Sequence, residues 1–214
     1  MKEKLYLNQL MQEYPVLFSC REDIEKAFEI IRDSYARAGK LLVCGNGGSG
    51  ADAEHIVGEL MKEFYIKRPI NRQMQETLST FGQEGEVLGK HLQGALSAIT
   101  LTSNIALSTA YANDAKPELV FAQQVFGYGK KEDVLIGIST SGNSKNVIYA
   151  MITAKAMGLK TIGLTGKTGG ALKELCDVCI CTPSEITYQI QELHLPIYHT
   201  LCRMIEEVFF GCNA

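Results

Sequence analysis

The stretch Leu41–Gly50, LLVCGNGGSG, reads as a strand that ends in a glycine-rich turn, and the helical pattern of Ala51–Phe64 follows it. An apolar run without polar alternation suits a strand buried on both faces, as in a parallel sheet. The same unit recurs further on, where apolar Val134–Ile138 leads into Ser139-Thr140-Ser141-Gly142-Asn143-Ser144 and then a helical stretch over Ser144–Met157. Outward from these two units, strands are expected at Ala98–Leu101, Thr161–Leu164 and Val178–Cys181, and helices at Ser103–Ala112, Leu119–Gly127 and Thr187–Phe210. Strand and helix alternate, so the predicted fold is α/β, a three-layer sandwich with a mainly parallel five-stranded sheet flanked by helices. Ligands of such sheets bind at the carboxyl ends of the strands, which makes the two turns the places to look for chemistry.

Residues 1–39 read as a helical N-terminal segment. Ile24, Ala27, Phe28, Ile31 and Tyr35 recur at helical spacing, and Gly39 is expected as a C-cap. The polar stretch Ile66–His91, with Gly82, Gly85 and Gly89, fits a long loop or a short helix pair.

The chain has 214 residues, enough for one sizeable core, and is read as a single domain over 1–214. Twenty-one Lys and Arg against 24 Asp and Glu give a net charge of -3, which disfavours a nucleic-acid binder that works by neutralising phosphates. No apolar run reaches bilayer-spanning length, and MKEKLYLNQLMQEY lacks the apolar stretch of a signal peptide. A cytoplasmic protein with no membrane or nucleic-acid partner is expected. Of the seven cysteines, Cys176, Cys179 and Cys181 lie in or beside an apolar run, DVCICTP, and read as structural thiols rather than a metal or redox site.

Gly45-Asn46-Gly47-Gly48-Ser49-Gly50 can bring backbone N–H groups close to an anion at a helix N-terminus. Its spacing also satisfies the dinucleotide pattern G-x-G-x-x-G, but Tyr65–Glu76 offers no strand carrying the acidic residue that pattern needs. The turn Ser139–Ser144 holds four hydroxyls where one would cap a helix, so a phosphate monoester site is expected there. Gly166-Lys167-Thr168 imitates the end of a Walker A loop, but Thr161 occupies the earlier glycine position.

His55 and Glu59 are four residues apart and share a helix face, either as a surface ion pair or as an acid/base couple. Gln191 and His199 are eight apart on the last helix, about 80° beyond two full turns, and can point into one cavity. His194 reads as structural or interfacial. Asn113-Asp114, taken alone, fits an ordinary Asx turn.

Together, GNGGSGADAEHIVGEL (45–60), YAND (111–114), DVLIGISTSGNSKNVI (133–148), TIGLTGKTGG (161–170) and IQELHLPIYH (190–199) resemble the SIS (sugar isomerase) phosphosugar-binding family, and within it the phosphoheptose isomerases. The resemblance implies an aldose–ketose isomerase that converts sedoheptulose 7-phosphate to D-glycero-D-manno-heptose 7-phosphate through an enediol, with Glu59 and His199 as the acid/base groups. It implies substrate contacts at Asn46, Gly47, Gly48, Ser49, Glu59, Asn113, Asp114, Ser139, Thr140, Ser141, Ser144 and Gln191. It also implies a zinc site at His55, Glu59, Gln191 and His199, and a homo-oligomer, commonly a tetramer, with sites between subunits. Relatives that bind a replication initiator have lost the acid/base residues at the positions of Glu59 and His199. The alternative to the enzyme is such a non-catalytic sensor or partner-binding module.

The chain also departs from the pattern the resemblance implies. Residues 66–92 are an insertion, Glu63 stands where relatives often have Arg, and Tyr188-Gln189 stands where they often have Asp-Arg. Pro196, between Gln191 and His199, should kink the last helix.

Overall fold

The computed structural model describes residues 2–211. Helices α1 (Lys2–Glu13) and α2 (Arg21–Ala36) precede strand β1 (Leu41–Gly45) and helix α3 (Gly48–Met61). A helix pair, α4 (Arg72–Ser79) and α5 (Gln83–His91), leads to β2 (Ala98–Thr100), α6 (Ile105–Asp114) and α7 (Val120–Tyr128). Then come β3 (Val134–Ser139), α8 (Lys145–Ala156), β4 (Lys160–Thr165), α9 (Gly170–Leu175), β5 (Val178–Cys181) and the long α10 (Thr187–Phe210).

The five strands pair in the order β2-β1-β3-β4-β5, and every pair is parallel. This is the α/β sandwich the apolar runs predict. Successive side chains along a strand face opposite ways. Leu41 and Val43 of β1 therefore join the core under α1, α2, α3 and α10, while Leu42 and Cys44 join the core under α7, α8 and α9. After β1 the chain goes to one side for β2 and returns to the other for β3. The strand order thus reverses between β1 and β3, and a crevice opens at their carboxyl ends. The two turns singled out in the sequence flank that crevice.

Helices α3 and α10 lie side by side and run the same way. Gly48 meets Gln191 near their starts, His55 meets Tyr198 midway, and Phe64 beyond the end of α3 meets Glu206. A buried ion pair fixes the far end, with Arg68 Nε 2.7 Å from Glu206 Oε1 and both side chains fully buried. The Glu206 carboxylate also accepts the N–H groups of Phe64, Tyr65 and Ile66, and Arg68 donates to the carbonyls of Glu59 and Leu60. Every strong donor and acceptor is matched, as a buried pair requires.

Several sequence expectations change at this level. Helix α3 begins at Gly48 rather than Ala51 because the Gly47 carbonyl already accepts from Gly50 and Ala51. It ends at Met61, and the N–H groups beyond it go to side chains, that of Glu63 to Gln93 Oε1 and those of Phe64, Tyr65 and Ile66 to Glu206. Gly39 is not the left-handed cap of α2. Ala38 holds that position at φ 58, and Gly39 follows it, donating to the Ser34 carbonyl. Gly39 is small for a different reason, since a Cβ there would stand 2.3 Å from the Glu132 carbonyl oxygen. Ile66–His91 resolves as the helix pair α4–α5, closed at its base by an antiparallel bridge between Pro69 and Gln93. Helix α10 continues through the buried Pro196.

Candidate active site

The second turn is a cradle of hydroxyls. Ser139 ends β3, Gly142 turns at φ 67, and Ser144 precedes α8. Ser144 makes no side-chain cap; its hydroxyl lies 2.9 Å from that of Ser139. Ser141 Oγ accepts the N–H of Asn143, and the Thr140 carbonyl accepts that of Gly166. The hydroxyls therefore serve the turn more than the helix end; at the start of α8 the Val147 N–H goes to Asn146 Oδ1, and the N–H groups of Lys145 and Asn146 are the ones an anion can take.

The first turn lies alongside. Asn46 and Asn146 exchange reciprocal amide hydrogen bonds of 2.9 and 2.8 Å, tying the turn after β1 to the first turn of α8. Gly47 is exposed, and Ser49 is buried with its backbone against Gly45. A Cβ on Gly48 would fall 2.5 Å from Gln191 Nε2, so the amide of Gln191 covers that glycine.

Further along α3 and α10, ionisable groups meet. His55 Nε2 lies 3.2 Å from Glu59 Oε1 and 3.4 Å from His199 Nε2. Lys62 Nζ holds the other Glu59 oxygen at 2.9 Å. The opposite side of His55 fixes its proton. Tyr198 donates its hydroxyl to Asp52 Oδ1 at 3.2 Å, so the oxygen's lone pair accepts from His55 Nδ1, 3.0 Å away. With Nδ1 carrying the proton, His55 turns its Nε2 toward both Glu59 and His199.

Burial pushes the Asp52 carboxyl up, against the pull of Tyr198 and His55. Tyr198 is pushed up by burial and by Asp52. His199 is pushed down, first by burial and then by His55, with Glu59 opposing. His199 is thus a neutral imidazole near pH 7, able to accept or donate a proton.

The sequence pointed to His55, Glu59 and His199, and the structure brings these three together. Gln191 stands apart at Gly48, about 12 Å of helix rise before His199. Asn113 and Asp114 end α6, exposed and bonded to each other at 2.9 Å, so they form no Asx turn in a loop. His194 is fully buried against the Thr165 carbonyl, and burial pushes it down to about 4, as suits a structural group. Sequence reading missed Asp52, Tyr198 and Asn146. Asp52 lies one turn before His55, and Tyr198 is next to His199, but the bonds that join them cross more than 140 residues of chain.

The two imidazole nitrogens, 3.4 Å apart, have about the separation of two ligands on a tetrahedral zinc with bonds near 2.0–2.1 Å. In donor type and spacing this pair suits the ion. Among the described residues, however, no group of three or more His, Cys, Asp or Glu side chains is arranged to hold a metal. The cluster stands as a hydrogen-bonded one, with Lys62 on Glu59.

Residues 16–84 and 86–166 match the SIS domain family. A phosphoheptose isomerase of Akkermansia muciniphila is 35% identical over 207 residues, covering 95% of this chain and 96% of its own length. One from Nitratiruptor is 46% identical over 170 residues, 79% of this chain and 78% of that one. The chain belongs to the SIS-domain family and, within it, to the phosphoheptose isomerases. The solved structure of a phosphoheptose isomerase from Francisella tularensis superposes with a TM-score of 0.75 at 30% identity, covering 96% of this chain and 97% of that one. Family membership makes this chain an isomerase and replaces the non-catalytic alternative. No helix among the described residues is long and apolar enough to cross a membrane.

Proposed function

We propose that this isomerase interconverts sedoheptulose 7-phosphate and D-glycero-D-manno-heptose 7-phosphate, with Glu59 and His199 as its acid/base groups. The observation that carries the mechanism is the meeting of Glu59 and His55 on α3, which starts at the first glycine-rich turn, with His199 on α10, which packs beside it. The 7-phosphate takes the N–H groups at the start of α8 and the hydroxyls of Ser139, Thr140, Ser141 and Ser144. Asn46, Gly47, Gly48 and Ser49 close the second side, and Gln191, Asn113 and Asp114 face sugar hydroxyls. Aldose–ketose isomerisation moves one proton between C1 and C2 and another between their oxygens. Glu59 abstracts the carbon-bound proton and returns it to the neighbouring carbon. His199, kept neutral by burial, carries the proton between the two oxygens. Tyr198 and Asp52 hold His55, which orients Glu59.

The family's zinc ligand set of His55, Glu59, Gln191 and His199 is not assembled in this subunit, where Gln191 lies about 12 Å of helix rise before His199; the His55–His199 pair would hold an ion, and such an ion would polarise the substrate carbonyl. Glu59 lies about 16 Å along α3 from Gly48, at 1.5 Å per residue. A heptose phosphate spans roughly 10 Å, from eight zigzag bonds of about 1.5 Å. That mismatch supports a homo-oligomer, with tetramer the family expectation, in which one subunit's phosphate turns face another's Glu59 and His199. Work in the cytoplasm is part of the same proposal.

Incubation with sedoheptulose 7-phosphate in deuterated water, followed by NMR, tests the reaction. Deuterium at the carbon beside the carbonyl and a new heptose phosphate are the expected results. Glu59→Gln and His199→Ala should each lower turnover by about 10²–10⁴-fold with the circular dichroism unchanged. Full activity in both variants would refute the assigned roles.

A further inference from the structure

A carboxylate outside the acid/base cluster stands beside the two turns. Glu54 comes one residue before His55 and so lies about 100° round α3 from it. It faces the chain just beyond the carboxyl end of β2. There Glu54 Oε1 accepts the hydroxyls of Thr102 and Ser103, each at 3.0 Å. The Thr102 hydroxyl gives its one proton to Glu54, so its 2.7 Å contact with Thr100 Oγ1 is donated by Thr100.

Both hydroxyls go to the same oxygen. Among the described residues, Oε2 has no hydrogen-bond partner and no Lys, Arg or His pairs with the carboxylate. An ionised carboxylate has about four acceptor sites. Glu54 is therefore held in one orientation with half of its accepting capacity unused.

The side chain lines a cavity of about 480 Å³. Its other walls include Asn46 and Gly47 of the first turn, Asn146 at the start of α8, and Ser108 of α6. The Ser108 hydroxyl has no partner among the described residues either. Glu54 is six residues beyond Gly48, about 9 Å of helix rise. A heptose phosphate spans roughly 10 Å, so a sugar anchored at the turns reaches Glu54 within one subunit. Glu59, about 16 Å along the same helix, is beyond that reach.

We propose that Glu54 is a specificity residue whose free oxygen accepts hydrogen bonds from hydroxyls of the sugar chain, between the phosphate and the reacting carbons. The inference rests on the sugar phosphate reading given above. A carboxylate accepts and never donates, so it selects hydroxyl donors, and bonds to a charged acceptor are the stronger kind. Thr102 and Ser103 hold it in place before the sugar arrives, which spares the cost of ordering it. The same charge repels a second anionic group, so a monophosphate fits the cavity better than a bisphosphate. Glu54 takes no proton from carbon, and its contribution belongs to binding.

Calorimetric titration of the intact protein with sedoheptulose 7-phosphate and with inorganic phosphate, beside steady-state kinetics, tests this role. In Glu54→Ala, the Kd and KM for sedoheptulose 7-phosphate should rise at least ~10-fold, as expected for a lost bond to a charged group. Turnover should stay within about twofold, as when binding common to ground and transition states is removed. Inorganic phosphate should bind as in the wild type or slightly tighter. Glu54→Gln keeps the size and one acceptor, and should fall between the two. An unchanged KM, or equal weakening of both ligands, would overturn the proposal. So would a wild type that holds sedoheptulose 7-phosphate no tighter than inorganic phosphate. A wild type that binds this sugar tightly without isomerising it would refute the function proposed above, and the two dissociation constants would still decide the role of Glu54.

Discussion

The two turns at the sheet's switch point differ in what holds them. The turn after β3 is locked from outside. Gly142 presses on Gly169, Asn143 Oδ1 accepts the N–H of Ala171, and Ser139 bonds Ser144. The turn after β1 is open. Its Asn46 is tied to Asn146, but a Cβ on Gly47 would meet nothing within 4 Å, and Gly48 faces the end of the flexible Gln191 side chain. One is a prebuilt cradle and the other can adjust to a ligand. Preorganised donors spare a ligand the cost of ordering them, so the β3 turn is the better phosphate anchor.

Gly142→Ala should have the largest effect. Its Cβ would lie 1.9 Å from the Gly169 carbonyl oxygen, and its φ of 67 is one that L-residues avoid. The overpacking and the left-handed backbone together should cost about 3 kcal/mol in urea unfolding, and sugar phosphate affinity should fall with it. Wild-type stability in this variant would mean that the β3 turn is not locked and the contrast fails.

Gly47→Ala sharpens the contrast. Gly47 sits at φ 55 and ψ −121, a conformation suited to glycine, but the space around it is free. Only the backbone penalty of about 1–2 kcal/mol should appear. A loss as large as that of Gly142→Ala would reveal a contact that closes the first turn.

The fold was legible because its strands are continuous apolar runs and its turns are punctuated by glycine and hydroxyls. Those signals are local. Leu41–Gly45 and Val134–Ser139 announce themselves within a few residues, and so do the turns that follow. His55 and Glu59 were legible as a helical pair. The partners that set the proton on His55 were not, because Asp52 and Tyr198 carry no local signal of their bond. Likewise, Asn46 and Asn146 lie in separate βα units and meet only when β1 and β3 pair. The left-handed Ala38 was missed because glycine is the usual occupant and stood next door. Gly39 answers to the crowding at Glu132, a contact no helix-end rule contains. The helix pair at 72–91 stayed open between two readings because its segment is polar overall and its few apolar side chains, such as Met74, Val87 and Leu88, stay exposed rather than marking a core face.

Gly48→Ala has the smallest expected effect on stability and probes the side chain that lies over the first turn at Gly48. The atoms in the way are Gln191 Nε2 at 2.5 Å and Cδ at 3.0 Å, the far end of a flexible side chain. The amide can swing aside, so unfolding should change by less than ~1 kcal/mol. Function should respond differently. If Gln191 works where it lies, against the first turn, displacing it raises KM for sugar phosphate while turnover in the acid/base cluster is little changed. If instead Gln191 works beside His199 as a zinc donor, freeing it from Gly48 leaves KM alone and alters the metal content of the purified protein. The first outcome keeps α10 divided into a substrate end at Gln191 and a proton-transfer end at His199. The second would join them and make the open turn a consequence of where Gln191 is needed.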